Sequence, residues 1–190
     1  MQKTGGSATH AMFALFPELV EFADPLGADN ASHVTFPARE EQIRGKVLAM
    51  NIRRLPAYVL SWNQAVIAPN DRSGHPGRPM RSPHEMSRTW QPDRRLARFT
   101  GDGRFAVERW IRTEHLADDF LEFMSEFTEI DEARAHLVRE IRLNEREYDR
   151  ELAHWFTPKQ IEILYRRNPV WGAVEEQVYG ATVLATYSGG

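Results

Sequence analysis

The sequence predicts an α/β fold, a small parallel sheet flanked by helices and followed by a helical carboxy-terminal half. Three observations carry that expectation. Lys46 to Ile52 holds the short apolar run Val47-Leu48-Ala49-Met50, as a strand buried on both faces of a parallel sheet requires. Phe105 to Ile111 alternates through Phe105, Val107, Trp110 and Ile111, and each of these two runs leads into a helical pattern. Beyond Asp131 the chain becomes charged and amphipathic at helical spacing. With 190 residues, 42% of them apolar and 27% charged, one substantial core and a single domain over 1–190 are expected.

The elements follow in order. Thr9 to Phe22 places Met12, Phe13, Leu15, Phe16, Leu19, Val20 and Phe22 at helical spacing, with Pro17 kinking or restarting the helix. Asp24 to Ser32 is a breaker-rich loop, and Val34 to Phe36 forms a short strand before Pro37. After the strand at 46–52, Pro56 opens a helix to about Ile67, with Val59, Leu60, Asn63 and Val66 along one side. Ala68 to Gly103, broken by Pro69, Pro76, Pro79, Pro83 and Pro92, reads as one long functional loop. A helix from Glu114 to Phe127 follows the second strand. Asp131 to Trp155 reads as one long helix burying Leu137, Ile141, Leu143, Tyr148, Leu152 and Trp155. Thr157-Pro158-Lys159-Gln160 is a capping box that starts the next helix.

Composition narrows the function. No run approaches the roughly 20 apolar residues of a spanning helix, and the amino terminus lacks the pattern of a signal peptide. A cytoplasmic protein with neither membrane nor nucleic-acid partners is expected. The absence of cysteine removes disulfide scaffolds, thiol nucleophiles and cysteine-ligated zinc. Net charge is only -3, but residues 39–112 carry 15 basic and 7 acidic side chains, a net +8 that suits an anionic ligand or is balanced by the acidic carboxy-terminal helices.

Two stretches bear phosphate chemistry. Lys3-Thr4-Gly5-Gly6-Ser7 lies directly before the first helix, where glycines allow close backbone approach, amides and hydroxyls donate, and Lys3 supplies charge; its other reading is a flexible start. It is not a Walker A loop, so a nucleotide hydrolase or kinase of that type is disfavoured. Arg53 ends the first sheet strand, and Ser61 follows eight residues later on the next helix, bringing a guanidinium and a hydroxyl toward one sheet edge.

In order, Gln2-Lys3-Thr4-Gly5-Gly6-Ser7 and Ile52-Arg53-Arg54-Leu55-Pro56-Ala57-Tyr58-Val59-Leu60-Ser61 resemble the two phosphate sites of the sulfotransferase family, whose donor is 3'-phosphoadenosine 5'-phosphosulfate, PAPS. Ser32-His33-Val34-Thr35 and the Glu114-x-Leu116-x-x-Asp119-Phe120 segment resemble its carbohydrate-type branch. The resemblance implies a P-loop-like sulfotransferase fold and transfer of a sulfuryl group from PAPS to a hydroxyl of a carbohydrate or small metabolite, with no metal. Lys3 is implied to contact the bridging oxygen, Thr4, Gly5, Gly6 and Ser7 to cradle the 5'-phosphosulfate, and Arg53 and Ser61 to hold the 3'-phosphate. Glu114 is the candidate general base, its other role being to cap the helix it begins; His10, His33, His75 and His84 compete with it. Trp62, Trp90 and Trp110 are candidates to line an acceptor site, but Trp62 and Trp110 adjoin an apolar strand or helix and read first as core, while Trp90 lies in the long loop and is open between the two.

Several positions depart from the family. Its members reach the loop through a buried strand, whereas Met1 and Gln2 alone precede Lys3, so an upstream segment supplies that strand, another segment replaces it, or the donor site is weakened. Ala8 replaces a hydroxyl, Pro56 is one position late, and Tyr58 takes the place of a second arginine. These changes favour the alternative of a non-catalytic relative used for binding or assembly. The sequence leaves the oligomeric state open, a homodimer that adds a strand to the exposed sheet edge being one arrangement it allows.

Overall fold

Met50 and Ile52, two residues apart, are both buried, as alternate residues on one face of a strand should be. The computed structural model describes residues 6–22, 36–67, 79–143 and 147–187. Among them β1, Ala49–Ile52, pairs in parallel with β2, Arg109–Arg112, in the register Ala49 with Arg109 through Ile52 with Arg112. The helices in chain order are α1 Gly6–Phe13, α2 Glu40–Ile43, α3 Leu55–Ile67, α4 Pro83–Thr89, α5 Pro92–Thr100, α6 Leu116–Ser125, α7 Glu132–Glu140, α8 Leu152–Trp155, α9 Pro158–Arg167, α10 Pro169–Tyr179 and α11 Val183–Thr186. The architecture is therefore α/β, a two-stranded parallel sheet with flanking helices in a mostly helical chain. No helix among the described residues is long and apolar enough to cross a membrane.

Contacts group the chain into two compact units, Met1–Ile52 with Ala97–Arg146, and Arg53–Leu96 with Glu147–Gly190. The first unit is built around the sheet. Ala8, Met12 and Phe16 pack with Ile111 of β2, Phe120, Leu121 and Met124 of α6, and Val138 of α7. Phe120 is the centre of this core, with Phe13 and Phe16 meeting its ring edge-on at centroid distances of 6.1 and 5.8 Å. Pro17 does restart the chain after α1, as a 3-10 turn over Pro17–Phe22.

The second unit is helical. Leu55, Tyr58, Val59 and Leu60 of α3 are buried, as are Ile161, Leu164 and Tyr165 of α9 and Trp171 of α10. The Tyr58 and Trp171 rings lie 4.6 Å apart. Asp93 and Asn168 hold two helix starts by exchange. Asp93 accepts the amides of Val170 and Trp171, at 2.9 and 2.7 Å, at the beginning of α10, while Asn168 Oδ1 accepts the amide of Asp93 at 3.3 Å at the beginning of α5.

Several expectations need correction. The stretch 68–103 is not one loop: Ser82 caps α4 through a reciprocal bond pair with Glu85, and Pro83 and Pro92 sit at the first positions of α4 and α5, where a proline costs no hydrogen bond. The helix expected over 131–155 stops at Glu140, and the next helix among the described residues begins at Leu152. Asp149 explains part of this, because its carboxylate accepts the amide of Glu151 at 2.9 Å and its carbonyl accepts Trp155 Nε1 at 2.8 Å, a local pattern that competes with helix. Leu137 and Leu143, counted as buried positions, are exposed. The second strand is shorter than expected, and the residues before α6 form a 3-10 turn, Thr113–His115. Phe36, read as strand, begins a 3-10 turn, while Val34 and Thr35 lie outside the described residues.

Candidate functional site

Parallel pairing brings the carboxyl ends of both strands to one edge of the first unit, the edge at which open α/β sheets take ligands. Ile52 and Arg112 end in register there, and the Thr113 hydroxyl donates to the Ile52 carbonyl at 2.9 Å, closing the edge. Glu114 follows immediately, exposed, within the 3-10 turn. It does not cap α6, whose cap position is His115.

Arg112 and Asp119 fix the start of α6 against β2. Asp119 accepts the Arg112 amide at 2.8 Å and its Nε and Nη2 at 2.8 and 2.6 Å, a bidentate ion pair with a backbone bond added. Burial acts to raise the Asp119 carboxyl, but the side-chain and backbone bonds from Arg112, with its charge, outweigh that and hold it below the usual range. Asp119 is thus a structural anchor for the turn that carries Glu114.

The start of α1 is tied to the same sheet. Asn51 Nδ2, one residue before the end of β1, donates to Thr9 Oγ1 at 2.7 Å. Ala8 is buried in the core, so a hydroxyl there would need a partner in apolar surroundings. Ser7 is exposed in the first turn, and Gly6 opens the helix. His10 is half-buried, and its Nε2 is buried without a hydrogen-bond partner among the described residues. Lys3, Thr4 and Gly5, with His33 and His75, lie outside the described residues.

Arg53 and Ser61 belong to the second unit, both half-buried. The backbone around Arg53 is held from α10: Trp171 Nε1 donates to the Arg53 carbonyl at 3.0 Å, and the Leu55 amide donates to Glu175 at 2.7 Å. Arg53 Nη2 reaches Tyr148 Oη at 3.5 Å. Arg54 donates to the Ala181 carbonyl at 3.1 Å, pairs with Glu175 at 3.5 Å and lies 4.4 Å from the centre of the Tyr179 ring. Glu175 is wholly buried, and burial pushes its carboxyl up despite the Leu55 and Val183 amides, Tyr165 Oη and Arg54 that favour its charge. The Tyr165 phenol is pushed up in turn, by burial and by that carboxylate.

Among the remaining candidates, His84 is exposed on α4, and Trp62 and Trp110 are half-buried, not core. Among the described residues no group of three His, Asp or Glu side chains is placed to hold a metal ion. Sequence reading missed Glu175 and Trp171, because the residues they hold lie about 120 positions away and no local pattern announces them. No family model matches the chain, nor does any curated protein or solved structure.

Proposed function

We propose that the chain is a sulfotransferase, moving a sulfuryl group from PAPS to a hydroxyl of a carbohydrate or small metabolite, on a P-loop-like fold. The observation that carries this reading is the bond from Asn51 of β1 to Thr9 of α1, which fastens the helix that opens at Gly6 beside the carboxyl end of a parallel strand. That is where an anion-cradling loop has to be delivered.

The acceptor oxygen attacks sulfur as the bond from sulfur to the bridging oxygen breaks, and the departing phosphate gains the negative charge. Lys3 stabilises that charge, while Thr4, Gly5, Gly6 and Ser7 hold the 5'-phosphosulfate. Arg53 and Ser61 take the 3'-phosphate. Glu114, exposed at the sheet edge, receives the acceptor proton.

One observation favours the second reading, a non-catalytic relative serving binding or assembly. Tyr58, standing where the family has an arginine, is fully buried against Trp171 and offers no charge to a donor.

Calorimetric titration with 3'-phosphoadenosine 5'-phosphate tests both. Binding that falls at least about tenfold in Lys3→Ala and in Arg53→Ala, with adenosine as the non-binding control, is the expected result. Saturable binding without sulfuryl transfer to any of a panel of hydroxylated acceptors would favour the non-catalytic reading. Absence of binding in the unmodified chain overturns the donor assignment.

A further inference from the structure

A group of aromatic and cationic side chains in the second unit is used by no part of the sulfuryl-transfer reading. Tyr58 and Trp62 are one helical turn apart on α3 and so share a face. The Arg95 guanidinium, from α5, lies 3.9 Å from the centre of the Trp62 ring. Trp90 meets Trp62 edge-on, with centroids 5.5 Å apart, and the Arg81 guanidinium stands 5.6 Å from the Trp90 ring. The backbone of Arg81 is set by the buried Asn63, which accepts its amide at 3.1 Å and donates to its carbonyl at 3.2 Å.

Two polar atoms in this group are buried with no hydrogen-bond partner among the described residues, Tyr58 Oη and Trp90 Nε1. Tyr58 has no exposed surface. Burial raises its phenol, and the Arg95 guanidinium beside it works in the opposite direction. Among the described residues no carboxylate pairs with Arg95. The Tyr58 oxygen can itself accept from the Arg95 guanidinium beside it, but the Tyr58 O–H and the Trp90 indole N–H are donors left without an acceptor, and the guanidinium makes a negatively charged one preferable. Stacking on Trp62 restrains Arg95, so little freedom is lost when its fork engages a ligand.

We propose that Arg95, with the Tyr58 hydroxyl and the Trp90 indole N–H, binds an oxyanion, a sulfate or phosphate group of a small molecule. The site is independent of the Arg53 and Ser61 assignment. Trp62 is the platform that positions Arg95, and Arg81 adds a second positive charge over Trp90.

The test is calorimetric titration of the full chain with inorganic sulfate and with inorganic phosphate, with chloride at matched ionic strength as control. Saturable binding is expected for at least one of the two, and comparison of their affinities identifies which group the site prefers. Arg95→Ala should weaken it at least about tenfold, and Tyr58→Phe and Trp90→Phe, which remove only the donor, roughly threefold to tenfold. Arg95→Lys, which keeps the charge, guards against a folding defect in the alanine variant and should retain part of the affinity. Arg94→Ala, on the exposed side of α5, should leave inorganic anion binding unchanged. No saturable binding of either anion, an Arg95→Ala affinity equal to that of the unmodified chain, or a loss in Arg94→Ala as large as that in Arg95→Ala would each overturn the proposal.

Discussion

The Glu175 carboxylate accepts the backbone amide of Leu55 at 2.7 Å, joining α10 to the first turn of α3 across 120 residues of sequence. The other oxygen accepts Tyr165 Oη at 2.7 Å and the Val183 amide at 3.0 Å. One buried side chain therefore satisfies donors from three other segments. An amide cannot replace it, because its NH2 would face a donor in either orientation. Glu175→Gln should destabilise the second unit by about 1 to 3 kcal/mol, and Glu175→Ala by more, since donors are then left buried and unpaired. Urea denaturation followed by tryptophan fluorescence reads both.

The same residue sets a pH dependence. Its folded carboxyl is raised above the ordinary value, mainly by burial. The folded state then binds the proton more tightly than the unfolded chain, so this contribution to stability is fully present below the ordinary carboxylate range and is lost as pH rises through the folded value. The slope attributable to Glu175, obtained by subtracting the Glu175→Gln stability profile, should therefore fall with rising pH above about 4. A rising slope would show that the four donors outweigh burial.

Asp119 runs the other way. Its folded carboxyl is lowered by Arg112, so its stabilising contribution is present above the ordinary value and disappears as pH falls through the lowered one. Asp119→Asn should cost about 1 to 3 kcal/mol at neutral pH and flatten the acid limb of the stability profile. If Glu114 acts at this sheet edge, the same substitution, by loosening the turn after β2, should also reduce turnover in any sulfuryl-transfer assay.

The exchange of caps between Asp93 and Asn168 makes a sharper prediction about cooperativity. Asp93→Ala removes the acceptor for two amides at the start of α10, and should cost about 1 to 2 kcal/mol. Asn168→Ala removes the acceptor at the start of α5 together with the bonds that its Nδ2 donates to the Leu164 and Trp90 carbonyls, at 2.9 and 3.3 Å. The amide that Asp93 donates to Asn168 Oδ1 is backbone and survives Asp93→Ala, so the substitutions remove no bond in common; because both caps join the same two helix starts, the double substitution should still cost less than the sum of the single ones. Strict additivity in denaturation measurements would mean that the caps act separately.

Local signals were legible in the sequence, and long-range ones were not. Thr157-Pro158-Lys159-Gln160 announced α9, and the structure forms that capping box with both reciprocal bonds. Ser82-Pro83-His84-Glu85 carries the same signature and does the same for α4, yet proline density across 68–103 obscured it. Prolines at first helical positions and prolines in loops look alike in composition, and only the flanking cap residues separate them. The runs at 46–52 and 105–111 located the parallel pair but overstated it: only Ala49–Ile52 and Arg109–Arg112 pair, and β1 buries one face, Met50 and Ile52, while Val47 is exposed. The failure over 131–155 has the opposite cause. Leu137, Ile141 and Leu143 resemble a stripe, but the amide, carboxylate and carbonyl bonds around Asp149 favour a turn, and residues 146 and 147 fall in different compact units. For the candidate site, Arg53 and Ser61 were visible as residue types at a spacing, whereas the α10 residues that fix the Arg53 backbone were invisible.

That support gives the last prediction. Trp171 Nε1 holds the carbonyl of Arg53 at 3.0 Å, while the Trp171 ring, fully buried, packs on Tyr58. Trp171→Phe keeps most of the apolar volume and removes the donor, leaving the Arg53 carbonyl to find another partner or move. Stability should fall by about 1 to 3 kcal/mol, part of it from the smaller ring. If Arg53 holds the 3'-phosphate, affinity for 3'-phosphoadenosine 5'-phosphate should also fall several-fold, while affinity for adenosine 5'-phosphate, which lacks that group, should not change. Trp171 would then be a positioning residue. Equal losses for both nucleotides would indicate a general loosening of the second unit, and unchanged affinity for both would separate Trp171 from ligand binding altogether.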